Sequence, residues 1–361
     1  MPDMQVLPPD ELPLADARAL VGRWFRAARP VVSPLAAVGF SGSPLFRVEA
    51  GDATYVLKAF PPGTTPGRVA FVHAAVGHIR SQGVGELPAV RLTLAGETCV
   101  EDDRGHSWEL QDFVPGESTP HPTADQAAAA LAVLARLHLA AATLPENPPD
   151  RGPSPGIARR IEQARDMLSR PWGRLGASAA TDPVLAARIA GFRDRAAAVV
   201  EAGPGAHAVA AVAALEPAVQ ARQTVLRDLW APHVLFETAT STRVVGVVDC
   251  HAMGIDTPAT DVARLLGSWA VEAGFEAGGA WEAGLAAYDR IRPRPPAERR
   301  LVPFLAASGV VFGLDNWFRW IFEQGRRFSN HAAVAMRVER LTLALPTALD
   351  TLRTTLPASR V

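Results

Sequence analysis

The spacing of apolar and polar positions separates a strand-rich front part of the chain from a helical remainder. The segment 37–50 predicts a strand, a glycine turn and a second strand, and after a Gly51–Asp52 turn the alternation of apolar and polar residues over 54–60 predicts a third strand. Helical spacing predicts helices at 11–28, 66–82 and 124–142, through much of 157–220, and through most of 261–352. Further strands are expected near 89–94, 108–113, 225–236 and 243–249. This order predicts an α+β protein.

Length, composition and charge limit the classes of protein to which the chain can belong. A length of 361 residues suggests two lobes, and 48% hydrophobic residues can fill a core. The net charge of −1 argues against a nucleic-acid or membrane-surface binder, and no run of about 20 apolar residues predicts a spanning helix. Two cysteines and a start without signal-peptide features favour a cytoplasmic location. The oligomeric state stays open.

The distribution of basic residues singles out one position. Of the 36 basic residues, 35 are arginine and one is lysine, Lys58. Lysine is a compact point charge, whereas arginine is a planar fork. Because the chain has arginine at every other basic position, we expect Lys58 to lie at a site that needs the small ammonium group. Chance retention of the lysine is the alternative.

A turn rich in glycine and serine precedes the Lys58 strand. Its small residues let a backbone approach a phosphate and offer it N–H groups, with Lys58 neutralising the phosphate oxygens. An ordinary hairpin turn is the alternative, because Gly-Ser turns are common. The candidate nucleotide-binding residues here are Gly39, Ser41, Gly42, Ser43 and Lys58.

Two carboxylates follow apolar segments in the middle of the chain. Asp228 comes soon after Val225-Leu226, and Asp249 ends the segment Val245-Gly246-Val247-Val248. His233, five residues after Asp228, is a candidate metal ligand. Two carboxylates and a lysine form Mg²⁺–nucleotide sites, although Asp249 as a simple turn former remains an alternative.

The order of these motifs resembles the aminoglycoside phosphotransferase and choline kinase family, over about residues 35–340. The matching features are the glycine turn, Lys58, a connector at 114–117, Leu134-Ala135-Arg136-Leu137-His138, Asp228, Asp249 and the segment 256–263. The resemblance implies a two-lobed protein-kinase-like fold. Its N-lobe, 1–114, would hold an antiparallel sheet with one helix, and its C-lobe, 115–361, would be mostly helical.

The resemblance also implies roles for individual residues. Lys58 would contact the α- and β-phosphates, and Asp228 would orient or deprotonate the acceptor hydroxyl. Asp249 would bind Mg²⁺, with His233 at the second metal-ligand position. The remaining expectations are an adenine-facing stretch near Glu109–Phe113, which includes Gln111 and Phe113, and a brace for the catalytic loop from Asp261. Asp261 as a simple helix cap is the alternative.

Three positions depart from the family's pattern. His233 replaces an asparagine, and its nitrogen suits Mn²⁺ or Zn²⁺ better than Mg²⁺. The predicted helix 66–82 contains no acidic residue to pair with Lys58, and His73 is nearest to the expected position. Cys250 and His251 follow Asp249, where the family has an aromatic or aliphatic residue and glycine.

The resulting hypothesis is an ATP- or GTP-dependent kinase. It would move a γ-phosphoryl group to a hydroxyl of a small molecule, such as an amino sugar or amino alcohol, with Mg²⁺ or Mn²⁺. The altered metal positions keep open a non-catalytic nucleotide-binding or scaffold protein. A weaker alternative is a transferase that attaches AMP to protein side chains and releases pyrophosphate.

Overall fold

The computed structural model describes residues 14–26, 30–35, 45–61, 63–148, 151–178, 181–217, 219–272, 279–328 and 330–356. The chain divides into two compact units. The first unit is Met1–Ser118 with Pro232–Met253, and the second is Thr119–Ala231 with Gly254–Val361. The lobe boundaries expected from the sequence, 1–114 and 115–361, stay a prediction. By compactness alone, Pro232–Met253 groups with the first unit.

An antiparallel sheet dominates the described part of the first unit. Its strands are β1 (Val31–Pro34), β2 (Leu45–Ala50), β3 (Ala53–Ala59), β4 (Val90–Arg91), β5 (Val100–Glu101) and β6 (Ser107–Asp112). They run in the order β1-β2-β3-β6-β4, and β5 also pairs with β6. Gly51, with φ of +60°, turns the chain between β2 and β3, as the sequence predicted. This register places Lys58 on β3 directly opposite Glu109 on β6.

Two helices accompany this sheet, α1 (Leu14–Val21) and α2 (Pro66–Ser81). The predicted helix 66–82 is thus confirmed. Thr65 caps α2 by accepting a hydrogen bond from the Arg68 N–H at 3.3 Å, and Pro66 suits the first turn. A buried cluster that includes Trp24, Phe46 and Trp108 joins α1 to the sheet.

The returning segment adds a short antiparallel pair to the first unit. Its strands are β10 (Val234–Phe236) and β11 (Val244–Val247), and Asp249 follows β11. Gly116 lies against this pair, where a Cβ atom would come within 2.7 Å of the Phe236 carbonyl oxygen. The connector therefore requires a residue without a side chain at this position.

The described part of the second unit is mostly helical. Its helices are α3 (Ala124–Ala142), α4 (Pro155–Ser169), α5 (Pro183–Val200), α6 (Gly203–Ala213), α7 (Ala259–Glu272), α8 (Ala280–Ile291), α9 (Pro296–Phe318) and α10 (His331–Thr355). Short antiparallel pairs join β7 (Gly152–Pro153) to β8 (Val219–Gln220), and β9 (Gln223–Val225) to β12 (Gly254–Asp256). Helix α3 packs against α8, and α9 packs against α7 and α10.

The expected α+β class is confirmed, but one predicted strand is wrong. The segment 225–236 is not continuous: β9 ends at Val225, a loop carries Asp228, and β10 begins at Val234. The chain turns at Arg227, whose φ of 67° is incompatible with a strand. Apolar residues on both sides of the loop are buried, which gave this loop the composition of a strand.

Among the described residues, the bent pair Pro183–Val200 and Gly203–Ala213 would be long and apolar enough to cross a membrane if it formed one span, and one continuous helical stretch is so by length and composition. It runs from Pro296 to Glu323 and includes a π-helical turn at Arg319–Glu323. Its most apolar window is 72% buried inside the protein. That burial is typical of a core helix, which can have the same length and apolar composition as a membrane span.

Candidate active site

Two non-glycine residues in the described part of the chain have positive φ, Arg227 at 67° and Asp249 at 65°. This conformation is costly for residues with a side chain, and it concentrates at functional sites. Asp249 is itself a predicted site residue, and Arg227 directly precedes Asp228. One of the two lies in each compact unit. The strained backbone therefore marks one candidate place in each unit.

In the first unit, Lys58 and Asp249 form an ion pair. The Lys58 Nζ donates a hydrogen bond to Asp249 Oδ1 at 2.5 Å, and 10% of the Lys58 side chain is exposed. Helix α2 has no acid to offer Lys58, and Asp249, 191 residues away in the chain, takes that place. The ammonium is thereby held at the end of β3.

The other oxygen of Asp249 faces His233. Asp249 Oδ2 lies 3.6 Å from His233 Nε2, and His233 is buried. Burial acts to raise the pKa of Asp249, but Lys58 and His233 outweigh it and lower that pKa. The carboxylate is therefore ionised at neutral pH, as a metal ligand must be.

The residues at Asp249 fit a cation with two protein ligands. Asp249 Oδ2 and His233 Nε2 lie 3.6 Å apart, so these two atoms could both be ligands of one cation. No group of three or more His, Cys, Asp or Glu side chains that could hold a metal occurs within the described ranges. A Mg²⁺ ion commonly uses one or two carboxylates with phosphates and water, so a third protein ligand is not required.

A buried cluster of one glutamate and two histidines lies beside this pair, and the sequence analysis did not predict it. Glu109 on β6 is fully buried and accepts hydrogen bonds from His73 Nε2 at 2.6 Å and His251 Nε2 at 2.7 Å. Burial would raise the pKa of Glu109, but His251 and His73 lower it to about 2. The signal in the sequence was one glutamate inside the apolar strand pattern Trp108-Glu109-Leu110.

This cluster fixes the segment that follows Asp249. The His251 ring stacks on Phe60 with centroids 3.8 Å apart, and Arg68 of α2 donates to the His251 carbonyl oxygen at 2.7 Å. His73, which the sequence placed nearest the missing helix acid, reaches the same Glu109. The positions of acid and base are therefore exchanged: the strand supplies the carboxylate, and the helix supplies a base.

The other predicted nucleotide-binding residues have different surroundings. Gln111 is buried on β6, and its side-chain amide donates to Glu109 Oε1 at 2.8 Å. Phe113 is partly exposed, with the Arg47 guanidinium 4.8 Å from its ring centre. The glycine-rich turn lies outside the described residues, and with it the candidates Gly39, Ser41, Gly42 and Ser43.

In the second unit, Asp228 lies on the loop that follows β9, near the end of the segment Thr119–Ala231. Asp228 Oδ1 accepts a hydrogen bond from Arg264 Nη2 of α7 at 2.6 Å. Both side chains are nearly half exposed, 46% for Asp228 and 42% for Arg264. Asp228 thus combines a fixed position with access to small molecules.

Asp261 holds the backbone of this loop. Its two oxygens accept hydrogen bonds from the Leu226 and Arg227 N–H groups, both at 2.7 Å, so the predicted brace is confirmed. His138 Nε2, from the predicted Leu134–His138 segment, lies 3.0 Å from Asp261 Oδ2. His138 in turn contacts the Tyr288 hydroxyl at 2.6 Å. This buried chain fixes the strained Arg227 immediately before Asp228.

Comparisons with known proteins agree with this architecture. A homoserine kinase of Azorhizobium caulinodans is 26% identical over 291 residues, covering 76% of this chain and 77% of the relative. An amicoumacin kinase, solved in complex with AMP-PNP, Ca²⁺ and Ami, superposes with a TM-score of 0.60 at 12% identity, covering 94% of this chain and 95% of its own. A choline/ethanolamine kinase family protein of Mesorhizobium loti gives 0.56 at 19%, covering 95% and 100%.

The solved structures show a kinase-like fold, and the family model with the homoserine kinase relatives shows a small-molecule phosphotransferase. The chain belongs to the phosphotransferase enzyme family, whose model matches residues 35–295. The resemblance and the two-part kinase-like fold expected from the sequence are thus confirmed.

Proposed function

We propose that this enzyme transfers the γ-phosphoryl group of ATP or GTP to a hydroxyl of a small metabolite. The observation that carries the proposal is the Lys58–Asp249 ion pair, built by the chain's only lysine and a carboxylate with strained backbone. Phosphoryl transfer depends on positioning and charge neutralisation, which such a pair supplies. The proposed setting is cytoplasmic, with soluble metabolites and without nucleic acid or membrane as a partner.

The first unit is proposed to bind the nucleotide. Lys58 would neutralise α- and β-phosphate oxygens, while Gly39, Ser41, Gly42 and Ser43 would donate backbone N–H groups to the phosphates. The strand that includes Gln111 and the following Phe113 would lie along the adenine. Family membership and the amicoumacin kinase that binds AMP-PNP support this assignment.

Asp249 and His233 are the residues proposed to hold a divalent cation, Mg²⁺ or Mn²⁺. When bound, the cation neutralises charge on the phosphates. The Lys58 contact leaves Asp249 Oδ2 directed to His233 rather than to the ammonium. The histidine nitrogen favours Mn²⁺ more than an asparagine oxygen would.

Asp228 is proposed to act on the acceptor. Its carboxylate would accept a hydrogen bond from the acceptor hydroxyl, orient it and take its proton as the new P–O bond forms and the bond from the γ-phosphorus to the departing ADP or GDP breaks. Asp261 keeps the loop in place through Leu226 and Arg227, so Asp228 need not reorganise during transfer. Homoserine is the first acceptor to assay, because the relative from Azorhizobium caulinodans is a homoserine kinase.

The test is thermal unfolding with ATP or GTP and titrated Mg²⁺ or Mn²⁺, on wild type, Asp249→Asn and Asp228→Asn. A nucleotide at 100 times its dissociation constant stabilises the protein by about 2.7 kcal/mol. We expect a metal-dependent shift that Asp249→Asn removes and Asp228→Asn retains. Release of ADP with an acceptor should then require both residues.

Three other outcomes would contradict the proposal in different ways. No shift with either nucleotide would exclude nucleotide binding. Binding without ADP formation for any hydroxyl acceptor would indicate a non-catalytic nucleotide-binding protein. Release of pyrophosphate instead of ADP would indicate transfer of AMP.

A further inference from the structure

A small cavity in the second unit is lined by three arginines. Arg160 of α4, Arg264 of α7 and Arg337 of α10 are its charged lining residues, and α9 closes another side. Its volume is about 30 Å³, whereas a single water needs at least about 10–15 Å³. The space therefore suits one small polar group rather than a whole sugar.

The cavity adjoins the proposed acceptor site. Arg264 lines the cavity and also donates to Asp228 at 2.6 Å. No residue of the first unit is needed to make this connection, because Arg264 and Asp228 both belong to the second. A group bound to Arg264 in the cavity would thus lie near the carboxylate proposed to receive the hydroxyl.

The charge of the cavity is only partly balanced. Arg160 donates to three neutral acceptors: Ser308 Oγ at 2.7 Å, the Gly156 carbonyl at 2.9 Å and the Leu305 carbonyl at 3.3 Å. Within the described ranges, Arg160 has no acidic group within 4.0 Å. A cation in this position without an ion-pair partner is unfavourable unless a ligand supplies the negative charge.

The other two arginines of the cavity, Arg264 and Arg337, each pair with a carboxylate that also has another partner or role. Arg337 Nη1 lies 3.2 Å from Glu272 Oε1, but Glu272 also pairs with Arg340, and Arg264 pairs with the catalytic candidate Asp228. Burial and the repulsion of Arg264 lower the pKa of both Arg160 and Arg337 to about 10. The cations therefore disfavour one another in the absence of an anion.

The remaining acid near Arg160 is committed elsewhere. Asp256 accepts hydrogen bonds from the Ser154 hydroxyl at 2.5 Å and from the Gly156 and Thr257 N–H groups, each at 2.8 Å. These contacts join β12 to the start of α4. Asp256 attracts Arg160 at longer range but is not its hydrogen-bond partner.

We propose that this arginine cavity binds an anionic group of the acceptor, a carboxylate or a phosphate, and that Arg160 and Arg337 thereby select the substrate. The inference rests on the proposed function, since it assigns the acceptor of that reaction. Guanidinium groups recognise both anions through paired N–H donors. The same cations would repel a polycationic amino sugar.

The first experiment measures anion binding directly, without an acceptor. The probes are acetate and inorganic phosphate, titrated at constant ionic strength with chloride, and the readout is thermal unfolding of the full chain. We expect saturable stabilisation of wild type and at least a tenfold higher dissociation constant in Arg337→Gln. Arg160→Lys, which keeps the charge and loses the fork, provides a second variant if Arg160→Gln does not fold.

Two controls separate this cavity from other anion sites. Arg353→Gln changes an exposed arginine of the same helix, α10, and should bind the probe like wild type. Lys58→Gln removes the cation proposed to bind nucleotide phosphates, so any phosphate binding that this variant loses belongs to the nucleotide site, and the binding that remains is assigned to the arginine cavity. Equal binding in wild type and Arg337→Gln would overturn the proposal and leave the arginines a structural role.

The second experiment tests acceptor choice. Homoserine and 3-amino-1-propanol share a primary hydroxyl and an amine and differ by the carboxylate, and glycerol 3-phosphate tests a phosphate in its place. We expect kcat/KM to favour an anionic acceptor at least 100-fold, and Arg337→Gln to reduce that ratio to tenfold or less. Equal turnover of 3-amino-1-propanol would overturn the anion site while the kinase function stands. Loss of the nucleotide-dependent shift would instead refute the proposed function.

Discussion

Asp249 in the first unit and Asp228 in the second each pair with a cation, but their surroundings differ. Asp249 contacts a largely buried lysine and a buried histidine, and the chain beyond it is fastened through His251 to Glu109. Asp228 pairs with an arginine that is 42% exposed, and its precision comes from backbone contacts to Asp261. The proposed phosphate-binding site is thus fixed through side chains, whereas the proposed acceptor site is fixed through the backbone and left open.

The largest expected effect comes from a substitution at Asp228, which tests the proposed acceptor site. Asp228→Asn should lower kcat about 1,000-fold, because the amide cannot accept the hydroxyl proton, while nucleotide affinity stays within about threefold. Steady-state ADP release and nucleotide-dependent unfolding measure the two effects. A kcat within tenfold of wild type would remove Asp228 from the proposed chemistry.

The corresponding substitution in the first unit is at Lys58. Lys58→Arg keeps the charge but replaces a compact ammonium with a wider fork at a site with 10% exposure. We expect kcat/KM for the nucleotide to fall about 100-fold with KM for the acceptor unchanged. The matched control is Arg91→Lys: Arg91 is half exposed and pairs with Asp112, and this variant should stay near wild type. An unaffected Lys58→Arg enzyme would mean that chance retained the only lysine.

The backbone brace is tested at Asp261. Asp261→Asn replaces one oxygen with an NH₂ group facing buried donors, so we expect a loss of about 3 kcal/mol in the free energy of unfolding. Urea denaturation measures that loss, and a lower kcat with unchanged nucleotide affinity would localise the damage to the Asp228 loop. A stable variant with normal kcat would show that the loop does not depend on this brace.

The smallest expected effect is at Glu109, and it depends on pH. The folded pKa of about 2 lies below the ordinary value of 4.5, so the carboxylate stabilises the fold fully above about pH 4.5. That contribution disappears as the pH falls through about 2. Glu109→Gln should therefore cost about 2 kcal/mol at pH 7 and progressively less below pH 4.5. A constant difference between wild type and variant across urea titrations from pH 7 to pH 3 would contradict this linkage.

Local sequence signals predicted those elements that depend on neighbouring residues. Helix α3 spans Ala124–Ala142 as expected, with Thr123 and Gln126 forming a reciprocal capping box at its start. The same reasoning failed over 225–236, where burial of a loop gave it an apolar pattern. Periodicity reports burial, and burial alone does not distinguish a strand from a packed loop.

The sequence by itself determined the α+β class, the family resemblance, the candidates Lys58, Asp228 and Asp249, and the departures at His233, His73 and His251. The tertiary structure decided their partners: Asp249 for Lys58, Glu109 for both His73 and His251, and Arg264 for Asp228. It also placed Arg160 and Arg337, which are 177 positions apart in the sequence (337 − 160), in the lining of the same cavity. The physical reason is range: propensity and capping act over a few residues, whereas ion pairs depend on distances that only packing sets.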